Sequence, residues 1–354
     1  MSENTLLNRL GIENPVILAP MSGGISTPEL VAAVSNAGGL GSIGLAYSTP
    51  AQIIETIRQA RILTQRPLNV NLFAGGFSLR SNADPGRMMS ILSEIHAAFG
   101  LTAPIVPTDL RDPFPEQFDA VLEMQPEVFS FTFGVLGASE IAKLRSRGIA
   151  ILGTATTVKE GHILADAGVD AVVAQGAEAG GHRGSFAASF ETSMVPTMRL
   201  TQDISKFTPV IASGGIMDGR DIQRAFDSGA SAVQLGTAFL PCPESGAAQA
   251  YKRALLAAKS DETVITRAYS GRPARGLRNE FIVRLEKSED AILPYPLQNI
   301  LTRRMRDAAA QQENAGFLSL WAGQGVTQCR AMPAHELVMK LVSEWRQTSS
   351  SLDK

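Results

Sequence analysis

A histidine lies inside a loop that is rich in glycine. The stretch VVAQGAEAGGHRGSF, residues 172–186, places His182 among four glycines. An imidazole can take up a proton or stabilise an anion near neutral pH, and glycines let a backbone approach a ligand closely. The pattern favours an active-site loop with His182 as its catalytic residue over a histidine that is exposed on a loop by chance.

Two shorter glycine segments indicate a phosphate site. The segments Ser213–Gly215 and Gly236–Thr237 each follow a short apolar run. The last two βα loops of a barrel commonly bind phosphate through backbone N–H groups, whereas a lone Gly-Gly more often makes only a tight turn. Because both segments occur at the expected pair of positions, the sequence predicts a phosphate-bearing ligand, either flavin mononucleotide (FMN) or a sugar phosphate.

Amide side chains lie in or next to the apolar runs. Asn69 and Asn71 belong to one run, Gln234 belongs to another, and Gln175 ends a third. A buried amide without hydrogen-bond partners costs free energy, and the edge of a flavin ring would supply such partners. One amide could serve cross-strand structure alone, but we expect all four to face one barrel mouth. The segment Ala19–Met21, after the first run, joins this set.

Short apolar runs alternate with amphipathic stretches along the chain. This alternation is typical of a parallel sheet covered by helices. Eight runs, beginning at residues 16, 39, 68, 128, 150, 171, 210 and 232, are candidate strands. A doubly wound open sheet would show a similar alternation. The count of eight and the positions of the glycines favour an α/β fold of the TIM (β/α)8 barrel type.

The spacing between the runs predicts a second, smaller domain. Residues 1–242 are assigned to the barrel, with an elaborated insertion at about 75–125 that is longer than one crossover helix requires. Residues 243–315 exceed the length of an eighth barrel helix and predict a mainly helical lid domain inserted after the eighth strand. Residues 316–354 are expected to form a C-terminal segment that returns to the barrel.

Composition argues against several classes of function. The 354 residues include 32 Lys and Arg against 34 Asp and Glu, and this net charge of −2 argues against a nucleic-acid partner. Cys242 and Cys329 lie far apart and form no metal-ligand pattern, so no metal site is predicted. With neither a secretion signal nor an apolar run of about 18 residues, we expect a soluble, cytoplasmic protein that does not bind membranes.

Several longer segments carry a family resemblance. They are APMSGGISTPELVAAVSNAGGLGS, RPLNVNLF, VVAQGAEAGGHRG, IASGGIMDGRDI, GASAVQLGTAFLPCPES and SGRPARGLRN, with WAGQG near Trp321. These segments resemble the nitronate monooxygenases, the flavin-dependent family formerly called 2-nitropropane dioxygenases. Within that family the resemblance is to class I, the bacterial and fungal class that includes enzymes acting on propionate 3-nitronate.

The resemblance implies FMN bound non-covalently in a TIM barrel, with the second domain closing over the flavin. His182 matches the active-site histidine of the family, so the neighbouring glycines would admit the flavin while the imidazole faces the substrate. The implied cofactor-binding residues are Pro20, Met21, Asn71, Gln175, Gly180, Gly181, Gly214, Gly215, Gln234, Gly236 and Thr237.

The resemblance also implies a reaction. In the family, an anionic nitronate gives one electron to oxidised flavin to form a flavosemiquinone. Oxygen then yields a carbonyl compound, such as malonate semialdehyde, with nitrite and some nitrate, and no reduced nicotinamide is consumed. His182 is expected either to act as a base on neutral nitroalkanes or to pair with the charge of the nitronate. A cationic imidazole is better suited to the second role.

Other functions stay open at this stage. FMN-dependent enoyl-ACP and quinone reductases of the same superfamily share several of these glycine segments and use NAD(P)H. A barrel that binds flavin or phosphate without turnover is a third hypothesis. Arg272 and Arg275 could clamp a substrate carboxylate, form a basic loop in solvent or contact another subunit. The sequence leaves both a monomer and a homo-oligomer open.

Overall fold

The structure, a computed structural model, describes residues 5–77, 83–259 and 263–352. Its strands fall into a larger parallel sheet and a smaller antiparallel one. The parallel sheet contains β1 (Val16–Leu18), β2 (Gly41–Gly44), β3 (Leu68–Phe73), β4 (Val128–Thr132), β5 (Ala150–Ala155), β6 (Ala171–Gln175), β8 (Val210–Ser213) and β9 (Ala232–Leu235). The antiparallel sheet contains β7 (Gly181–His182), β10 (Thr263–Thr266) and β11 (Ala274–Leu277).

The parallel sheet curls into a nearly closed barrel. Its strands pair in the order β1-β9-β8-β6-β5-β4-β3-β2. A parallel bridge between Ile17 and Leu40 connects β1 to the chain just before β2. All eight strands overlap the apolar runs that the sequence marked as strands. The TIM-barrel prediction is therefore confirmed.

Both faces of the barrel strands are buried. Val16 and Leu18 of β1 pack between the strands and the barrel helices, while Ile17 packs in a separate cluster inside the barrel. Helix α1 (Thr5–Leu10) adds two leucines to this inner cluster. The first residues of several strands also belong to it. Successive side chains of a strand point to opposite faces, so burial on both sides explains why the strands read as continuous apolar runs.

In the described ranges, eight helices surround the barrel. They are α2 (Pro28–Asn36), α3 (Pro50–Leu63), α5 (Phe114–Met124), α6 (Ala138–Arg145), α7 (Val158–Ala167), α8 (Thr197–Ile204), α9 (Gly219–Asp227) and α13 (Ala334–Leu352). Helix α13 packs against both α9 and α2, so the end of the chain supplies the eighth barrel helix. Across the described ranges, none of the helices combines the length and the apolar composition that crossing a membrane requires.

A second hydrophobic core lies in the lid. Tyr269 and Phe281 are among its buried residues, and residues of the insertion at about 75–125 also contribute to it. The insertion supplies one helix to the lid, whereas α5 packs on α3 and β3 of the barrel. The domain borders stay a prediction. The helices of the lid core are α4 (Gly86–Ala98), α10 (Gln249–Ala257), α11 (Glu280–Glu286) and α12 (Leu297–Gln311).

The antiparallel sheet joins the two domains. Strand β7 belongs to the loop after barrel strand β6, but it pairs with β11 of the lid. In this register His182 lies opposite Ala274, and Gly181 lies opposite Arg275. Strand β10 pairs with the other edge of β11. The glycine-rich loop is therefore also a strand of the lid sheet.

The contact between β2 and α2 generates a stability prediction. A Cβ at Gly41 would lie 2.2 Å from the carbonyl oxygen of Val31 and 2.7 Å from Ser35 Oγ. Gly41→Ala should therefore lower the free energy of unfolding by about 1–3 kcal/mol, because a methyl group cannot fit without moving the helix. Urea unfolding measures this change.

Gly86→Ala is the matched control. A Cβ at Gly86 would meet only the flexible side chain of Asp84, at 3.2 Å or more. We expect its unfolding midpoint to stay near that of the unsubstituted chain. If Gly41→Ala unfolds at the same urea concentration as Gly86→Ala, the close packing of β2 on α2 is contradicted.

Candidate active site

A cavity of about 310 Å³ lies at the carboxyl ends of the barrel strands, below the lid. All twelve residues predicted for catalysis or cofactor binding line it. Their roles in binding remain predictions, but the fold brings them around one space. They are His182, Pro20, Met21, Asn71, Gln175, Gly180, Gly181, Gly214, Gly215, Gln234, Gly236 and Thr237.

The end of β6 holds the histidine by its backbone. Nε2 of Gln175 donates to the carbonyl oxygen of His182 over 2.9 Å. Oε1 of Gln175 accepts the amide of Gly184 over 2.8 Å. One side chain thus fixes the chain on both sides of Arg183. Gln175 shapes the active-site loop in addition to any contact it makes with a cofactor.

Two buried charged side chains brace the same loop. Arg183 is 3% exposed, and its guanidinium donates to three backbone carbonyl oxygens of the loop and the turn that follows it. Glu160 is fully buried, and one carboxylate oxygen accepts the amides of Phe186 and Ala187 over 2.7 and 2.9 Å. Its other oxygen accepts the amide and the hydroxyl of Thr156. Buried charges persist where they are hydrogen-bonded in this way.

The imidazole of His182 is enclosed by lid and barrel side chains. Its Nε2 lies 2.8 Å from the hydroxyl oxygen of Ser270. The indole of Trp321 has its ring centroid 5.4 Å away, and the ring of Phe133 approaches edge-on at 6.2 Å. Ser270 and Trp321 lie many residues after the last barrel strand in the sequence. No local sequence pattern therefore predicted their contacts with His182.

The surroundings of His182 keep its ring neutral. Burial, followed by the positive charges of Arg272 and Arg306, lowers the pKa of His182 from its ordinary value to about 3. This lowered pKa describes the site without an anion, so a cationic imidazole as partner of a bound nitronate stays a prediction. A neutral ring can instead accept a proton, and a bound anion would favour that uptake because it opposes the arginine charges.

The predicted phosphate loops present free backbone donors. Gly214 and Gly215 have φ values of +129° and +70°, in a region that favours glycine. A Cβ at Gly214 would lie 2.7 Å from Thr197 Oγ1. In the described part of the chain, no turn or loop hydrogen bond has the amide of Gly214, Gly215 or Thr237 as its donor. These N–H groups are available to an anion.

The C-terminal segment returns to the cavity beside these loops. The amide of Gly323 donates to Thr237 Oγ1 over 2.9 Å, and the amide of Gln324 donates to the carbonyl oxygen of Glu178 over 3.0 Å. A Cβ at Gly180 would lie 2.5 Å from the nitrogen of Gly323, so the two backbones are in close contact. Because Thr237 Oγ1 accepts a bond here, its O–H remains able to donate to a ligand.

The predicted amides separate into two groups. Asn71, Gln175 and Gln234 line the cavity, and Nδ2 of Asn71 also donates to Ser130 Oγ over 2.9 Å. The prediction for Asn69 is wrong, since this residue is fully buried and does not line the cavity. Asn69 and Asn71 lie on the same face of β3, because alternate residues of a strand share a face. Asn69 is nearer the start of the strand and therefore lies deeper in the barrel, away from the carboxyl ends of the strands.

Arg272 and Arg275 connect the lid to the barrel. The guanidinium of Arg272 lies 4.1 Å from the ring centroid of Phe133, and its Nη2 donates to the carbonyl oxygen of Gly76 over 3.0 Å. Arg275 is 5% exposed, and its Nε donates to the carbonyl oxygen of Ala177 over 3.0 Å. Neither residue lines the cavity, so the structure does not support them as the carboxylate clamp.

Polar residues of the lid that the sequence reasoning missed also line the cavity. Asn299, Arg303, Arg306 and Asp307 reach it from one face of α12. Nη2 of Arg306 donates to the backbone and side-chain oxygens of Asn299 over 2.9 and 3.0 Å. Spacings of three and four residues mark one helix face, and this pattern could have identified the set. Other missed lining residues are Tyr47, Tyr251 and Trp321.

Known sequences similar to this chain share one description. The family model described as "Nitronate monooxygenase" matches residues 4–344. A protein of Pseudomonas aeruginosa called nitronate monooxygenase is 42% identical over 346 residues, which cover 95% of this chain and 97% of that protein. A probable nitronate monooxygenase of Staphylococcus saprophyticus is 41% identical over 339 residues, with 95% of each chain covered.

Solved structures show the same architecture. A nitroalkane oxidase from Streptomyces ansochromogenes superimposes with a TM-score of 0.89 at 37% identity, covering 98% of this chain and 99% of its own. FabK from Thermotoga maritima superimposes with a TM-score of 0.78 at 27% identity, covering 100% of this chain and 99% of its own. Both the sequences and the structures indicate an oxidoreductase.

The environment of His182 predicts an unusual titration. With its pKa lowered to about 3, the ring should stay neutral in the ligand-free protein at a pH where a free imidazole is protonated. Nitrogen NMR of histidine-labelled protein at about pH 5 measures this, with His182→Gln to assign the signal. A protonated ring at that pH would contradict the enclosed site.

The same shift has a consequence for stability. The unfolded chain takes up this proton near about pH 6.5, whereas the folded chain does so only near about pH 3. The neutral imidazole therefore contributes stability that is complete above about pH 6.5 and is lost as the pH falls towards about 3. His182→Gln should show a shallower loss of unfolding free energy between about pH 7 and 5 in urea titrations, and equal slopes would argue against the shift.

Proposed function

This chain belongs to the nitronate monooxygenase family, and we propose that it uses FMN and O2 to oxidise nitronates to a carbonyl compound with release of nitrite and nitrate. The observation that carries the proposal is one cavity that is lined by His182, by the glycine loops and by the arginines of α12. The glycine loops suit a flavin phosphate, the imidazole suits proton transfer, and the arginines suit an anionic substrate.

The glycine loops fit the phosphate of FMN. Free amides at Gly214, Gly215 and Thr237 and the hydroxyl of Thr237 offer hydrogen bonds to an anion. The space beside Gly236 is open, because a Cβ there would meet only Ala19 and Met21, at 3.3 and 3.9 Å. A ligand could therefore approach the backbone closely at this position. When bound, FMN would accept electrons from the nitronate and pass them to oxygen. We infer that these residues hold its phosphate end.

His182 supplies the proton chemistry in this proposal. A neutral nitroalkane must lose a proton from carbon before it becomes a nitronate, and a neutral imidazole that lines the cavity can accept that proton. A substrate that arrives as a nitronate does not need this step. The rate with neutral nitroalkanes should therefore depend on His182 more strongly than the rate with nitronates.

The arginines of α12 favour a substrate with a second negative charge. Arg303 and Arg306 both line the cavity, and burial lowers the pKa of Arg306 without removing its charge at neutral pH. A guanidinium binds a carboxylate through two parallel hydrogen bonds. We propose propionate 3-nitronate, which carries a carboxylate, as the preferred substrate over small alkyl nitronates.

A reductase is the second candidate. An FMN-dependent enoyl-ACP or quinone reductase that consumes NAD(P)H is the alternative that the shared glycine segments leave open, and the chain superimposes on FabK over its whole length. The fold alone does not separate the two activities, because related barrels host different reactions. A flavin-binding barrel without turnover is a minor candidate.

Oxygen consumption separates these functions. The purified protein is supplied with propionate 3-nitronate and no nicotinamide, and nitrite is measured in parallel. The cofactor released by heating is identified by chromatography. Oxygen uptake with nitrite release supports the monooxygenase, and heat-inactivated protein controls for oxidation in solution. If the flavin is bleached only by NADH or NADPH, the reductase is supported and the monooxygenase is rejected.

Arg303→Met tests the carboxylate site. Loss of a charge-assisted hydrogen bond should lower kcat/KM for propionate 3-nitronate by about 10–100-fold and change the value for ethyl nitronate by less than about threefold. Arg304→Met is the matched control, because Arg304 is an exposed arginine of the same helix, like Arg303, but it does not line the cavity and it donates to Thr102 Oγ1. Equal losses with both substrates would remove Arg303 from carboxylate recognition.

A further inference from the structure

The hydroxyl of Ser270 is the polar protein contact of the His182 ring. Ser270 lies in the lid segment between β10 and β11, is 1% exposed and does not line the cavity. Its Oγ is 2.8 Å from His182 Nε2. The backbone of His182 belongs to the barrel loop, whereas its side chain is held by the lid. This contact has no part in the reaction as described so far.

Hydrogen-bond accounting assigns the protons of this contact. The amide of Arg272 donates to Ser270 Oγ over 3.2 Å, and the carbonyl oxygen of Arg272 lies 3.3 Å from the same Oγ. A hydroxyl has one proton and two lone pairs. If Nε2 of His182 carries the proton, Oγ accepts from Nε2 and from the Arg272 amide and donates to the Arg272 carbonyl oxygen. All three contacts are then satisfied.

The other tautomer satisfies fewer groups. If Nε2 is unprotonated, Ser270 must donate its only proton to Nε2, and the carbonyl oxygen of Arg272 loses that donor. A polar group in this partly buried contact is more stable with a partner than without one, so the protonated Nε2 is favoured. The other ring nitrogen, Nδ1, then carries a lone pair.

The second ring nitrogen is open to the cavity. Among the described residues, Nδ1 of His182 has no hydrogen-bond partner. It is also absent from the buried polar atoms that lack a partner, so Nδ1 has surface that a ligand or solvent can reach. Since His182 lines the cavity, accessible surface on this ring faces the ligand space. The charges that act on the ring are those of Arg272 and Arg306, and both are cations that cannot accept a proton.

We infer that Ser270 is a positioning residue, which holds His182 through Nε2–H and leaves Nδ1 as the nitrogen that accepts a proton from the substrate. The part of this inference that concerns substrate rests on the proposed function. The part that concerns the tautomer rests only on the contacts of the ring. The two parts are tested separately.

Nitrogen NMR of the histidine ring tests the tautomer without any turnover. In the FMN-loaded protein at neutral pH, His182 should show a protonated Nε2 and an unprotonated Nδ1. Ser270→Ala should give a mixture of tautomers, and Ser270→Thr, which keeps the hydroxyl, should restore one. Ser245→Ala is the matched control, since Ser245 is also buried and its Oγ accepts only a local amide, that of Ala247. It should leave the spectrum unchanged.

Kinetics with nitroethane and ethyl nitronate test the role in proton transfer. These substrates differ by one proton, so only nitroethane needs a base. Ser270→Ala should lower kcat/KM about tenfold for nitroethane and less than about threefold for ethyl nitronate, which corresponds to the loss of one hydrogen bond to the base. Ser270→Thr should return the nitroethane value to within about threefold of the unsubstituted protein.

Several outcomes would overturn the inference. A protonated Nδ1 in the unsubstituted protein does so whether or not Ser270→Ala folds. The inference is also overturned if Ser270→Ala leaves both the tautomer and the rates unchanged. If Ser270→Ala lowers kcat/KM equally for both substrates, Ser270 has only a structural role. If the unsubstituted protein consumes no oxygen when a nitronate is supplied, the proposed function fails, and the NMR experiment still decides the role of Ser270.

Discussion

The backbone pairing of β7 with β11 is the constraint on which the active site depends. It makes two residues of a barrel loop into a strand of the lid sheet, with His182 opposite Ala274. The floor of the cavity comes from the barrel strands, while its roof comes from the lid and the C-terminal segment. A movement of the lid must therefore move the imidazole. This short ladder of hydrogen bonds fixes the position of His182 relative to the predicted phosphate loops and to the lid residues that line the cavity.

A glycine-rich loop needs bracing to serve such a constraint. Glycines give it the close approach to a ligand that larger residues would block, but they also leave it with much conformational entropy to lose on folding. The amide of Gln175, the guanidinium of Arg183 and the carboxylate of Glu160 supply hydrogen bonds to the loop and to the turn that follows it. Burying a polar side chain costs free energy, and here hydrogen bonds to the backbone offset much of that cost.

Charge in the cavity follows from the same enclosure. Arg272 stacks on Phe133, and Arg306 donates to Asn299, so both cations lie in partly dry surroundings close to the histidine. The imidazole responds by remaining neutral, since a further positive charge there would be unfavourable. An anionic ligand reverses this balance. The proposed function uses both properties, because the arginines attract an anion and the neutral imidazole can accept a proton once the anion is bound.

The sequence by itself determined the barrel, the glycine loops at the cavity and the position of His182. Strand periodicity is local, and the geometry of a parallel barrel brings the carboxyl ends of distant strands together, so residues such as Gly214 and Thr237 could be placed beside His182 from the order of the runs alone. Asn69 shows the limit of this reasoning, because depth within the barrel depends on register. Only the tertiary structure decided the contacts of Ser270, Trp321 and Arg303, since the packing of the lid over the barrel mouth is not encoded in any local pattern. It also decided the charge of the imidazole, because a pKa sums burial and charges contributed by segments that are far apart in the chain.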